Sequence, residues 1–266
     1  MRVALGIEYD GSSYCGWQYQ HGVSTVQAVI EDALSRVANT SVRVITAGRT
    51  DTGVHATAQV VHLQTDVIRS EYSWARGTTR YLPDDVTVLW AKHVDEDFHA
   101  RFSAIERRYQ YLILNRSERP AILHRKVTWE YRPLDISLMQ EAANALQGKH
   151  DFNAYRAAGC QAKSPVRDLR ELSVERYDDI VVINARADAF LHHMIRNIAG
   201  VLCSIGAGEK PPAWAGEVLA SCDRTCGGVT APPDGLYLNK ITYPDKFRIP
   251  SVRSRPWIFG LCQEHV

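Results

Sequence analysis

Met1-Arg2-Val3-Ala4-Leu5-Gly6-Ile7-Glu8-Tyr9 opens the chain with a period of two, and its reading decides the fold. Val3, Leu5, Ile7 and Tyr9 fall on one side of an extended chain, so the segment reads as a strand. After a turn-rich loop the period changes. Val26, Val29, Ile30, Ala33, Leu34 and Val37 recur at helical spacing, and Ser24 with Gln27 makes a capping box at the start. Two β-like runs, 42–46 and 58–64, flank a Gly-rich stretch at 47–56, and a weakly helical 70–82 and a strand at 86–94 follow. The order is β-α-β-β-α-β. It recurs as a strand at 107–115, a helix at 136–147 stopped by Gly148, strands at 168–177 and 179–187, a helix at 189–205, an extra short helix at 212–221 and a strand at 236–243. The expected class is α+β: two ferredoxin-like (RRM-like) βαββαβ units whose antiparallel sheets form an extended central sheet with helices on one face. The expected division is 1–100 and 101–266, at a short charged boundary without a flexible linker.

With 266 residues, 45% hydrophobic and 23% charged, the chain has the composition of a soluble globular protein able to bury a core. No apolar run approaches the roughly 20 residues that cross a bilayer, and the first strand lacks the continuous apolar segment of a signal peptide. These features argue against a membrane span and predict a cytoplasmic protein. Cys15, Cys160, Cys203, Cys222, Cys226 and Cys262 are scattered as reduced thiols would be. The three residues between Cys222 and Cys226 do not match the two-residue knuckle of a structural zinc site, so no metal is expected. A net charge of +1 lacks a uniformly basic footprint, so an RNA partner requires local positive charge or a groove assembled by oligomerisation.

Gly48-Arg49-Thr50-Asp51-Thr52-Gly53-Val54-His55-Ala56 sets a guanidinium, a carboxylate and two hydroxyls between two turn-forming glycines. On composition alone this is a surface turn in which Asp51 caps its own backbone. Chemically, Asp51 also suits a sugar-transferring site, where positive charge develops at an anomeric carbon and a carboxylate stabilises or traps it. Such a carboxylate, once covered, stays ionised only beside a fixed cation. Arg196, in the apolar segment Phe190–Ile198 and four residues from His192 on an expected shared helix face, is the candidate; a snorkelling arginine is the other reading. Phe98-His99-Ala100-Arg101-Phe102 and Arg107-Arg108-Tyr109-Gln110-Tyr111 interleave basic and aromatic groups, as RNA contacts do when arginines grip phosphates and rings stack on bases. Tyr109 and Tyr111 share one strand face, which equally suits core packing. Lys246, Arg248, Arg253 and Arg255 form a further basic cluster, alone an ordinary solvated surface.

With these residues in view, the sequence resembles the bacterial tRNA pseudouridine synthase A family, also called tRNA pseudouridine synthase I. The likeness runs nearly end to end: Tyr9–Ser12, Gly16–Gln18, Thr25–Gln27, Gly48–Ala56, Leu82–Asp85, Phe98–Phe102, Arg107–Tyr111, His150–Phe152, Phe190–Ile198 and Gly235–Leu238. It implies that Asp51 is the catalytic aspartate, that Tyr109 contacts the flipped base, and that Arg196 is the basic residue paired with the aspartate. It further implies that Arg49 displaces the target nucleotide and that Leu238 lines the pocket. The family's substrate is uridine in the anticodon stem-loop of tRNA, its cofactor requirement is none, metals included, and its working form is a homodimer. Thr79 and Tyr81 depart from the pattern, where asparagines are usual, which bears on local substrate contacts rather than on the reaction.

Two other functions fit the residues. A nucleoside or glycoside hydrolase would use the same aspartate but needs a placed water and usually a second carboxylate, which does not stand out near Asp51. A non-catalytic RNA-binding protein would need no Asp51 at all.

Overall fold

The alternation of residues 1–9 becomes strand β1 (Arg2–Tyr9) in the computed structural model, which describes residues 1–250. Val3, Leu5 and Ile7 are fully buried. The helical spacing becomes α1 (Val26–Ala38), with Val26, Ile30, Ala33, Leu34 and Ala38 along its buried face. Asn39 closes it at φ 54°, a left-handed cap that asparagine tolerates. The expected capping box does not form. Thr25 is the N-cap and its side chain caps nothing, because the carbonyls of Gly16 and Trp17 take the N–H groups of Val26 (3.2 Å) and Gln27 (3.0 Å). The Gln27 amide turns instead to Glu31.

Strands β2 (Ile45–Thr46), β3 (His55–Gln64) and β4 (Val86–Val94) continue this unit. β1 lies between β3 and β4 and is antiparallel to both, with Leu5 opposite Val61 and Ala91. β2 is antiparallel to the far half of β3, Ile45 opposite His62. It is shorter than the run 42–46 because α1 claims the residues before it. Val42 N–H donates to Ser35 Oγ (2.9 Å), and Val44 N–H to the buried Glu31 carboxylate (3.0 Å), which Arg43 also reaches at 3.0 Å. The weakly helical 70–82 is a helix containing a π segment, Ser73–Gly77. Thr79 joins it to β4, its hydroxyl donating to Ala75 O (3.0 Å) and accepting from Val88 N (3.2 Å). Tyr81 is exposed beneath the Arg36 guanidinium, 5.6 Å from the ring centroid. The two departures from the family pattern thus have local structural roles.

The next run holds β5 (Glu106–Asn115), β6 (Thr128–Glu130), α2 (Ile136–Asn144), β7 (Gly148–Asp151), β8 (Val166–Tyr177), β9 (Ile180–Ala187), α3 (Met194–Gly206) and α4 (Trp214–Ser221). β9 lies between β5 and β8, antiparallel to both, and β7 borders β8. β6 runs parallel to β5. Gly148 does not stop α2, which ends at Asn144; it opens β7. α3 starts five residues later than its apolar spacing suggests. Asp188 Oδ1 accepts from the N–H groups of Asp168 (3.0 Å) and Ala189 (2.8 Å), and His193 takes a left-handed φ of 60° as N-cap, so the chain turns before the helix. His192 therefore precedes α3 and does not share a helix face with Arg196.

β10 (Leu236–Thr242) runs parallel to the near half of β3, Tyr237 opposite His55 and Leu238 opposite Ala56. The described residues divide into two compact units, Met1–Glu106 with 237–250, and Arg107–Leu236. Sequence order had grouped 236–243 with the residues from 101 onward; from Tyr237, where the ladder with β3 begins, the strand belongs to the first unit. Lys246 pairs with Asp97 and caps the Phe247 ring at 4.5 Å, while Arg253 and Arg255 lie outside the described residues. The fold is α+β with mostly antiparallel pairing, and among the described residues no helix is long and apolar enough to cross a membrane.

Candidate active site

Residues 47–54 pass from β2 to β3, and neighbouring chain takes up their polar groups. Thr50 is buried, its hydroxyl 2.7 Å from the Tyr9 hydroxyl and its carbonyl accepting Trp17 N–H at 2.9 Å. Burial pushes Tyr9 up to about 12, so its hydroxyl stays protonated across the working range. Gly48 O accepts from Gln59 Nε2 (2.7 Å) and Thr46 Oγ1 (3.2 Å). The turn closes on the main chain, Val54 N–H donating to Asp51 O at 3.1 Å, and Gly53 N–H reaches Tyr14 O at 3.3 Å.

Two glycines make this contact possible. A Cβ on Gly11 would stand 1.9 Å from Val54 O; one on Gly16, whose φ is +82°, would stand 2.9 Å from Thr50 O. The segment 10–17 is fixed in turn by Tyr14, whose hydroxyl donates to Asp85 Oδ1 at 2.6 Å. Asp51 thus sits half-buried on a loop anchored on both sides, and Arg49 is exposed beside it. At the loop's exit the buried His55 ring stacks on Tyr237 (4.5 Å, 20°) and Leu238 is fully buried on β10.

In the second unit, β5 alternates as its sequence predicts, with Tyr109 and Tyr111 buried and Arg108 and Gln110 half-buried. Tyr111 is committed to the core. Its hydroxyl lies 2.6 Å from Thr128 Oγ1 and donates to Pro232 O at 2.8 Å, and burial pushes it far above the usual tyrosine range. Tyr109 meets Phe190 edge-on (5.1 Å, 80°). Arg107 donates to Asp188 O (2.8 Å), and Arg108 lies 3.7 Å from Glu171. Arg196 stands in the first turn of α3, where the helix dipole opposes a cation. Main-chain bonds hold it there: its Nε donates to Ala231 O (2.8 Å) and its carbonyl accepts Ala231 N–H (3.1 Å).

Residues 6–103 and 142–244 match the family model described as tRNA pseudouridine synthase. The chain belongs to the tRNA pseudouridine synthase family. Proteins named tRNA pseudouridine synthase A are similar to it over nearly its whole length. That of Nitrosococcus oceani is 59% identical over 256 residues, covering 96% of this chain and 98% of the relative. That of Coxiella burnetii is 53% identical with the same coverage. That of Alcanivorax borkumensis is 55% identical over 250 residues, 94% of each chain. As a pseudouridine synthase the chain is an isomerase acting on tRNA uridine. The matched spans include Arg49, Asp51, Arg196 and Leu238, and Tyr109 falls in the interval between them.

The residues that brace the aspartate loop escaped sequence reading. Tyr9, Gly11 and Gly16 belong to motifs shared with the family and Tyr14 lies between two of them, but nothing in their spacing says that they touch residues 50–54. The signal was available only as co-occurrence: several short motifs far apart along the chain, each rich in turn residues.

Proposed function

We propose that this protein isomerises uridine to pseudouridine in the anticodon stem-loop of tRNA, in the cytoplasm and as a homodimer, with Asp51 as the catalytic carboxylate. Arg49, Tyr109, Arg196 and Leu238 bind the substrate, and the two units are a duplicated ferredoxin-like fold. The observation that carries the reading is the bracing of residues 47–54. Two hydroxyls, a glutamine and two close glycine contacts hold in place a loop whose half-buried polar side chain is a carboxylate. A turn serving only to reverse the chain needs none of these.

The uridine leaves its stack at a cost of a few kcal/mol. Asp51 assists cleavage of the bond between uracil N1 and the anomeric carbon, the freed uracil turns, and C5 bonds to that carbon. The C5 proton is lost and N1 gains one, so the product is an isomer and no oxidant or reductant is consumed. A neutral subunit binds a polyanion poorly, so pairing two nearly neutral chains into one basic groove accounts for RNA affinity at a net charge of +1.

Incubation with tRNA carrying tritium at uracil C5 tests the reaction. Isomerisation releases the label and leaves the RNA intact. Release of free uracil would make the protein a hydrolase, and binding with neither product would make it a passive RNA-binding protein.

A further inference from the structure

In the second unit a polar cavity of about 390 Å³ lies between the turn at 153–158 and the end of α4, with Asn153, Arg156, Cys222, Asp223 and Arg224 on its wall. Its two sides are tied together by Asn153, whose amide donates to Cys222 O. Arg224 is clamped at one end. Its Nη2 reaches Gly228 O (2.9 Å), Thr230 Oγ1 (3.0 Å) and Asn197 Oδ1 (3.2 Å). Asn197 is itself buried on α3, held by Tyr155 O at 2.8 Å and receiving the Thr230 hydroxyl at 2.7 Å. Among the described residues no acceptor takes Arg224 Nη1 or Nε, and none takes the guanidinium of half-buried Arg156.

The one carboxylate on the wall is committed elsewhere. Asp223 Oδ1 caps the turn at 224–226 by accepting the N–H and the hydroxyl of Thr225, both at 2.8 Å, and these bonds hold its carboxyl below the usual range. Two guanidinium groups against one occupied carboxylate leave the cavity positive. One fork is rigid and the other is uncommitted, and a guanidinium fork matches two oxygens of a tetrahedral anion.

We propose that this cavity is a phosphate subsite that receives one phosphodiester of the tRNA backbone, Arg224 as the fixed arm and Arg156 as the arm that closes. The assignment of tRNA as the source of the phosphate rests on the proposed function above. The wall is also linked to the helix that carries Arg196. Ala157 N–H donates to His192 O at 2.9 Å, just ahead of α3, so a phosphate seated here registers the RNA against that helix.

The Arg156 guanidinium makes no bond among the described residues, and only its main-chain N–H is used, on Asn153 O at 3.3 Å, so replacing the side chain tests the subsite without unfolding the chain. Affinity for an unmodified tRNA transcript is measured across a salt series for the full-length protein, Arg156→Ala and Arg156→Glu. Arg156→Ala is expected to bind about tenfold more weakly at low salt, with the slope of log affinity against log salt reduced by about one, the signature of one lost phosphate contact. Arg156→Glu is expected to bind more weakly still. In parallel, alkylation of the exposed Cys222 by iodoacetamide in the wild-type protein is followed by mass spectrometry, with tRNA or with inorganic phosphate. Slowing by tRNA supports the subsite, whether or not inorganic phosphate also slows it; slowing by inorganic phosphate alone overturns the backbone assignment. Wild-type affinity and slope in both variants would overturn the subsite. A wild-type protein that binds no tRNA at all would instead remove the substrate reading.

Discussion

The aspartate loop carries charged side chains and hydroxyls in close sequence, the strand β5 charged and aromatic ones, and the structure uses the two in opposite ways. In the loop at 47–54, neighbouring groups hold the backbone that carries Asp51: Tyr9 and Trp17 bind Thr50, Gln59 binds Gly48, and Tyr14 takes Gly53. In β5 most of the conspicuous groups serve the fold. Tyr111 is tied inside, Arg107 caps a carbonyl, and Arg108 sits near Glu171. The lesson is that a cluster of chemically capable residues is informative only after its internal partners are subtracted. The site residue proposed in β5 is Tyr109, which packs edge-on against Phe190, and the one proposed in the loop is Asp51.

The contrast breaks most easily at Gly16. Gly16→Ala puts a methyl group 2.9 Å from Thr50 O at a φ that alanine avoids, and should cost about 2–4 kcal/mol in urea unfolding together with a marked loss of turnover. A variant with wild-type midpoint and rate would mean that the two loops do not brace each other. A pair of tyrosine variants sharpens the comparison within β5. Tyr111→Phe takes the partner from the buried Thr128 hydroxyl and one bond from Pro232 O, and should lose about 1–3 kcal/mol of stability, read as a lowered thermal midpoint. Tyr109→Phe should affect turnover more than the midpoint, and the reverse ranking would contradict the division of roles.

The smallest effect concerns His62, whose Nδ1 accepts Ala100 N–H at 3.1 Å. Burial, with His99 and Arg2 nearby, pushes His62 from 6.5 down to about 4. Between those values the unfolded chain binds a proton that the folded chain refuses, so stability is present above about 6.5 and falls as pH drops toward 4. His62→Gln keeps a neutral acceptor and should flatten that part of the stability–pH curve; an unchanged slope would refute the assignment.

Strand and helix identities were legible wherever a period ran long enough. β1, β4, β5, β8, β9 and α1 follow their hydrophobic spacing closely. The misreadings share a physical cause: a local rule lost to a distant partner. Ser24 and Gln27 satisfied a capping pattern, yet the carbonyls of Gly16 and Trp17 had already supplied the caps. The apolar spacing of 189–205 starts directly after Asp188, whose side chain ends the preceding strand by binding two backbone N–H groups and so delays the helix. β6 and β7, of three and four residues, are too short to display a period at all. At the site, Asp51 was legible as a carboxylate between glycines in a loop between two strands, and that placement is as expected; its half-burial was not read from the sequence. Its bracing was not, because Tyr9, Gly11, Tyr14 and Gly16 meet it only through folding.

The most direct measurement is a single-turnover assay of Asp51→Asn on tritiated tRNA alongside its tRNA affinity. The substitution preserves shape and removes the charge. Binding near the wild-type value with turnover reduced by about a thousandfold or more is the expected result. Comparable turnover in the variant would show that the carboxylate of residue 51 does not carry the reaction.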